Sequence, residues 1–325
     1  MINWAISKFG RFIYRSLGLS VNQRRSKDFK GEIIDEKKAN NLIYDIIVSG
    51  KPTMISRLGV VEANTLLNYL EIQEWKQKAI FRKINARFNG SVDIFRPDVK
   101  TSLQMNAGVF PNTDENLEKF SSFFLNQIKR IDLFGVWKFV PGEFYFHNHF
   151  CPNAIPFCPE ALEPYFFSNP WSKALQGKRV LVIHPFSESI IKQYNIREFI
   201  FKDQNVLPSF ELITIAAVQS IAGNKTKFNN WFEALEHMKF QINNIEFDVA
   251  LIGAGSYGLP LAAYVKNRGK IAIHMGGATQ ILFGIKGKRW DNHPFISKIF
   301  NEYWVRPDFS EIVPDSEKVE SGCYW

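Results

Sequence analysis

Phe247–Trp290 reads FDVALIGAGSYGLPLAAYVKNRGKIAIHMGGATQILFGIKGKRW. Asp248–Ile252 is an apolar run of strand length, and Lys270–His274 is a second one. Between them Gly253, Gly255 and Gly258 take the spacing GxGxxG, followed by a helix opening near Ser256. Glycines let a backbone turn sharply and approach a ligand closely, and a helix N-terminus turns free N–H groups toward an anion. Gly276 and Gly277 make a second turn, and Lys286, Lys288 and Arg289 follow with positive charge. This order builds a pocket for a phosphorylated ligand. Its candidate contacts are Gly253, Gly255, Ser256, Tyr257 and Gly258 at the first turn. Gly276, Gly277, Thr279, Gln280 and Lys286 are the candidates at the second.

A dinucleotide site requires an acidic residue roughly 20 positions past the first turn to hold a ribose. The chain offers His274, Met275 and Gly276 there, which counts against a nicotinamide cofactor. The plain alternative is a tight strand-to-helix turn that holds no ligand.

Outward from this unit, strands and helices alternate. Thr53–Leu58 reads as a strand, Gly59 as a turn and Val60–Leu70 as a helix, after a first helix over Glu36–Val48. Residues 72–100 read as irregular, Asp114 as the cap of a helix to about Lys129, and Asp132–Phe139 as a strand. Arg179–His184 is a strand, Ser187–Phe201 a helix, Glu211–Ala217 a strand and Asn229–Ile242 a helix. Such alternation predicts an α/β fold with a mainly parallel, Rossmann-like sheet and crossover helices. Residues 31–310 form one α/β domain in this reading, followed by a tail over 311–325 that ends in Ser321–Trp325 (SGCYW). Residues 140–172 carry Pro141, Pro152, Pro156, Pro159, Pro164 and Pro170, and read as an irregular, aromatic-rich insert. Its HNHFC run holds His147, His149 and Cys151, with Cys158 further on. Zinc takes such ligands, but the proline-crowded gap to Cys158 fits none of the usual short spacings. An aromatic flap over a sugar is the other reading of the insert.

The chain has 325 residues, 46% of them hydrophobic and 22% charged, a globular composition. Three cysteines form no disulfide framework, and a reducing cytoplasm is expected. No run approaches the ~18 apolar residues of a membrane span, and no signal peptide is visible. Residues 1–30 hold seven basic side chains against Asp28 alone, or +6 of the formal +8. The basicity therefore belongs to a tail, which argues against nucleic acid as a partner. Ile2, Ala5, Ile6, Phe9, Phe12, Ile13 and Leu17 share one side of a helical wheel, with Lys8, Arg11 and Arg15 opposite. That pattern predicts an amphipathic helix lying on an acidic membrane surface, a peripheral cytoplasmic location.

In parallel sheets ligands bind beyond the carboxyl ends of the strands. Arg57 to Glu62, His184 to Glu188 with Ser187 among them, Gly253 to Gly258, and His274 to Gln280 should therefore converge on one crevice. His184 and His274 are candidates for chemistry near neutral pH, or for core packing. Asn106, before a turn, is a candidate polar lining residue.

Ile55–Glu62 (ISRLGVVE) resembles the opening RFGDGE-type strand–turn–helix of the GT-D-fold bacterial glycosyltransferases. The late unit resembles that family's terminal strand–turn–helix–strand, and the likeness in element order spans roughly residues 35–290. The resemblance implies transfer of a sugar from a nucleotide-sugar donor to a lipid-linked or glycan acceptor in surface polysaccharide synthesis. It also implies a DxE motif for a divalent metal. Here Val60 stands at the Asp position and Val61 at the second Gly, and Glu62 alone is retained. One carboxylate is a poor site for Mg²⁺ or Mn²⁺. Either the donor diphosphate holds the ion with water, or the reaction is metal-independent, with Arg57, Lys286, Lys288, Arg289 and the two glycine turns taking the charge. Glu62 is then the candidate base. Two other classes remain open: an NAD-dependent oxidoreductase or epimerase, and a non-catalytic member of a glycan assembly complex.

Overall fold

A computed structural model describes residue 29, residues 31–77 and residues 95–325. The amphipathic segment expected at residues 1–17 lies outside them. Seven strands form one sheet: β1 Met54–Arg57, β2 Leu133–Gly135, β3 Ile155–Phe157, β4 Arg179–His184, β5 Glu211–Ala216, β6 Val249–Ile252 and β7 Ile271–His274. Their order is β3-β2-β1-β7-β6-β4-β5, and every pairing is parallel. The α/β class with a parallel Rossmann-like sheet is thus the architecture observed.

Both faces of the sheet are covered, which explains the near-continuous apolar runs of its central strands. Leu181, Ile183, Ala250, Ile252 and Ala272 face one core. Val180, Val182, Val249, Leu251, Ile271 and Ile273 face the other. The first core is closed by α2 Val60–Lys76, α3 Pro97–Ala107, α4 Asp114–Ile128, α5 Glu143–Phe150, α7 Trp231–Asn243 and α8 Gly258–Asn267. The second is closed by α1 Glu36–Ser49, α6 Ser187–Tyr194 and α9 Ala278–Leu282, with several short 3-10 turns. Helix α1 begins where Asp35 accepts from Lys38 N–H at 2.7 Å, and ends at Gly50 in the left-handed region, φ 66°. It buries Ala39, Ile43 and Ile47, spaced to fall on one face.

The structure departs from the sequence reading at several points. Residues 140–172 are not an irregular insert. They supply α5, the edge strand β3 and three 3-10 turns. Pro156 is tolerated because β3 is at the sheet edge, where its carbonyl still accepts from Ile34 N–H at 3.0 Å. The second strand is only three residues long. The cap of α4 is Thr113, whose hydroxyl accepts from Asn116 N–H, and Asp114 is the first helical residue. Helix α3 lies inside the stretch read as irregular, opened by Pro97 in its first turn and closed by Gly108 at φ 70°. Helix α6 stops at Tyr194, and a separate 3-10 turn covers Arg197–Phe199.

Among the described residues no helix is long and apolar enough to cross a membrane.

Candidate functional site

The strand order sets the crevice. β4 leads outward to β5 while β6 leads inward to β7, so their connections diverge at the carboxyl ends of β4 and β6. A crevice opens at such a divergence. His184 ends β4 and Gly253 follows β6 in register beside it. A Cβ on Gly253 would lie 2.6 Å from His184 Cδ2 and 2.7 Å from both Gly276 O and Thr279 Oγ1. The first glycine, His184 and the second turn are therefore one packed cluster, as the topology predicts.

His274 ends β7. Its Nδ1 is 3.0 Å from Ser56 Oγ. The edge of its ring sits where a Cβ on Gly258 would be, 2.4 Å from Nε2. Burial pushes His274 down to about 3, helped by the nearby Arg57 charge. Burial likewise takes His184 to about 3, and its Nδ1 accepts from Phe186 N–H at 3.0 Å. His184 is thus the tautomer that carries its proton on Nε2. Both rings stay neutral at physiological pH, so neither supplies the proton exchange near neutrality that the sequence allows.

Arg57 leaves the end of β1 beside Gly135, whose missing side chain makes room for it. Its guanidinium lies 5.9 Å from the centre of the Trp137 ring. It also fills the space beside Gly276, where a Cβ would come within 2.1 Å of Nη2. Gly276 has φ 64°, so glycine is required there for its conformation as well as for space. Among the described residues Arg57 makes no ion pair. Burial lowers its pKa, opposed first by Tyr324 and then by Glu62. Glu62, in the first turn of α2, folds its carboxylate back over Gly59 and is 9% exposed. Burial raises its pKa, against its own backbone N–H and the Arg57 charge. The two side chains share one electrostatic environment without forming a direct ion pair.

The remaining candidates separate clearly. Ser256 donates to Ala107 O at 2.6 Å and accepts from Trp231 Nε1–H at 2.9 Å. Tyr257 stacks on Trp231 at 5.0 Å, with its hydroxyl 2.9 Å from Ser220 Oγ. These two side chains are therefore core anchors, and only their backbone belongs to the turn. Gly255, at φ 51°, faces open space. Thr279 and Gln280 are fully buried, and among the described residues Thr279 Oγ1 and Gln280 Oε1 have no hydrogen-bond partner. Gly277 lies under Trp290 and Tyr324. Lys286 sets its ammonium over the Phe300 ring at 5.8 Å. Ser187 begins α6, but the N–H groups of Glu188 and Ser189 in that first turn donate to the Glu311 carboxylate. Asn106 is part-buried on α3, its amide 3.5 Å from Ser102 Oγ.

Three participants carry no motif: Trp137, Tyr324 and Glu163. Tyr324 and Glu163 both act on the Arg57 charge, and Glu163 accepts from the Tyr165 hydroxyl at 2.6 Å. The aromatic density of residues 140–172 and of the SGCYW run is the only sequence signal for the last two.

Two metal expectations meet this geometry. The HNHFC histidines are engaged elsewhere: His147 Nε2 is 2.9 Å from Ala154 O, and His149 stacks on Tyr145. Among the described residues no three His, Cys, Asp or Glu side chains gather as a metal site. At the crevice Glu62 is a single carboxylate beside a cation, a donor set that does not fit a protein-held divalent ion.

A shallow hollow of about 390 Å³, lined by Gln176, Arg197, Gln204 and Ser209 among others, lies before the amino ends of β4 and β5 and away from this cluster. Among the described residues the crevice presents a cation without an ion pair, two neutral histidines, one carboxylate, the exposed Gly255 and the half-buried Gly276 and Gly277. No family model, no curated protein and no solved structure matches this chain.

Proposed function

We propose that the chain is a glycosyltransferase of the GT-D type, moving a sugar from a nucleoside-diphosphate donor to a lipid-linked or glycan acceptor. The observation that carries this reading is Arg57, a cation without an ion pair among the described residues, resting on Gly276 at the carboxyl ends of the strands. A cation held this way complements an anion that a ligand brings. A diphosphate bridging the two turns would meet Arg57 and the backbone of Gly255 and Gly277, since the Gly276 N–H already donates to Ile252 O at 3.1 Å.

In the reaction, an acceptor hydroxyl oxygen attacks the anomeric carbon. The bond from that carbon to the diphosphate oxygen breaks, and the leaving nucleoside diphosphate takes the electron pair. Arg57 and the turn N–H groups stabilise the charge it gains. Glu62, kept more basic by burial, accepts the hydroxyl proton. The neutral His184 Nε2–H is a donor for a sugar hydroxyl. The basic segment over residues 1–30 would hold the protein at an acidic inner-membrane surface, close to a lipid-linked acceptor.

Melting temperature against a panel of nucleoside diphosphates and their sugars, with and without Mn²⁺, tests this reading. A ligand that binds only the folded state raises the midpoint by mass action. The expected result is a shift with one nucleotide family, lost in Arg57→Ala, and sugar transfer lost in Glu62→Gln with the fold intact. A shift with NAD alone, or full transfer by Glu62→Gln, would overturn it.

A further inference from the structure

Glu320–Trp325 lies across the second glycine turn, and its oxygens take up the donors that an anionic ligand would use. Lys288 N–H donates to Trp325 O and Arg289 N–H to Cys323 O, each at 3.0 Å. Lys288 Nζ reaches Ser321 O at 3.2 Å, and Gln280 Nε2 donates to Tyr324 O at 3.2 Å. The Arg289 guanidinium pairs with the Glu320 carboxylate and lies over the Tyr324 ring at 4.9 Å. Tyr324 in turn covers Gly277, and Trp325 packs edge-on to Phe186 at 6.2 Å.

Two independent observations mark this seating as incomplete. Among the described residues Gln280 Oε1 beneath the segment and Trp325 Nε1 within it are buried without partners, as is Thr279 Oγ1 beside Gly253. Such atoms cost free energy until something else satisfies them. The backbone is also strained where the segment begins, with Glu320 at φ 46° and Ser321 at φ 61°, a region that favours glycine.

We propose that Glu320–Trp325 is a displaceable strap. It covers the second-turn side of the diphosphate site, where Gln280, Lys288 and Arg289 join Arg57, and it leaves when the ligand binds. This rests on the reading of the crevice as a phosphate site. The Glu320 carboxylate stands in for one charged group of the ligand. Displacement follows because the ligand binds only the open form and draws the population toward it.

Cys323, buried in the strap, reports its opening, and Cys151, buried in the first core, reports global unfolding. In a Cys158→Ser background, thiol labelling of the two is followed with and without inorganic pyrophosphate. A locally opening strap labels Cys323 at least about tenfold faster than Cys151. Saturating pyrophosphate raises the Cys323 rate further. Pyrophosphate also binds Tyr324→Ala, in which the strap is loosened, more tightly than the parent. Equal labelling of the two thiols overturns the proposal, as does bound pyrophosphate that leaves Cys323 unchanged or slows it. Failure of pyrophosphate to bind either protein overturns it too. The two readings fail separately. A nucleotide sugar that binds and turns over without altering Cys323 removes the strap and leaves the transferase. Pyrophosphate that frees Cys323 in a protein binding no nucleotide sugar does the reverse.

Discussion

At the first glycine turn, a Cβ on Gly253 would meet the His184 ring and two oxygens of the second turn, and one on Gly258 would meet the His274 ring. At the second turn, a Cβ on Gly276 would meet the tip of Arg57, and one on Gly277 would meet Trp290 and Tyr324. Gly253 and Gly258 in the first turn are therefore needed mainly because the protein's own strand ends pack against them. In the second, glycine leaves space for a cation and for the strap, groups that could move or meet a ligand. The GxGxxG spacing marks the tighter structural corner, and the less distinctive GG pair lies closer to the candidate chemistry. A motif of glycines reports close approach, and only the neighbours reveal whether the thing approached is protein or ligand.

The largest expected effect breaks the first turn from behind. Trp231 is fully buried, stacks on Tyr257 and donates to Ser256. Trp231→Ala should lower stability by about 3–5 kcal/mol in urea unfolding. Nucleotide affinity per folded molecule should hold. A loss of affinity with little loss of stability would move the first turn into the ligand site.

Gly258→Ala sharpens the same contrast, since its Cβ would be driven into the His274 ring. Overpacking of this kind costs about 1–3 kcal/mol, read as a lower urea midpoint at unchanged slope. Arg57→Ala is its counterpart at the second turn. Removing a cation that has no ion pair should leave the urea midpoint near that of the parent. Diphosphate affinity should fall about 10- to 100-fold, the range for a lost hydrogen bond to a charged group. Titration calorimetry decides it, and a stability loss larger than that of Gly258→Ala would make Arg57 a structural residue.

The smallest effect on ligand binding concerns the loop that brings Trp137 to Arg57. Glu143 accepts from the N–H groups of Trp137 and Lys138, and burial raises it from 4.5 to about 7. Between those values the folded state keeps a proton that the unfolded chain releases. Stability should therefore fall as pH rises from 4.5 to about 7, and be insensitive to this group outside that window. The total change is on the order of 3 kcal/mol. Glu143→Gln should flatten that part of the profile, and an unchanged slope would assign it to other groups.

Much of the sheet is legible in the chain. RVLVIH and VALI alternate between two buried faces, and the strand bounds read from them agree with β4 and β6 to within a residue. α5 and β3 were hidden because prolines at 141, 152 and 156 forbid most regular structure. Their positions, before a helix, after it and on an edge strand, are those where a missing N–H costs little. Helix α3 had its signals, Pro97 at the start and Gly108 at the end, but only weak apolar periodicity between them.

The sequence by itself determined the parallel α/β class, the glycine corners and the placing of Arg57, Glu62, His184 and His274 at strand and helix ends. Those properties follow from short-range pattern and from the side-chain period of a strand. Only the tertiary structure decided which of these groups meet. It buried both histidines into neutrality, turned Ser256 and Tyr257 into the core, left Arg57 without an ion pair among the described residues and laid Tyr324 over the second turn. Burial and long-range contact set charge state and accessibility, and neither is encoded in local spacing.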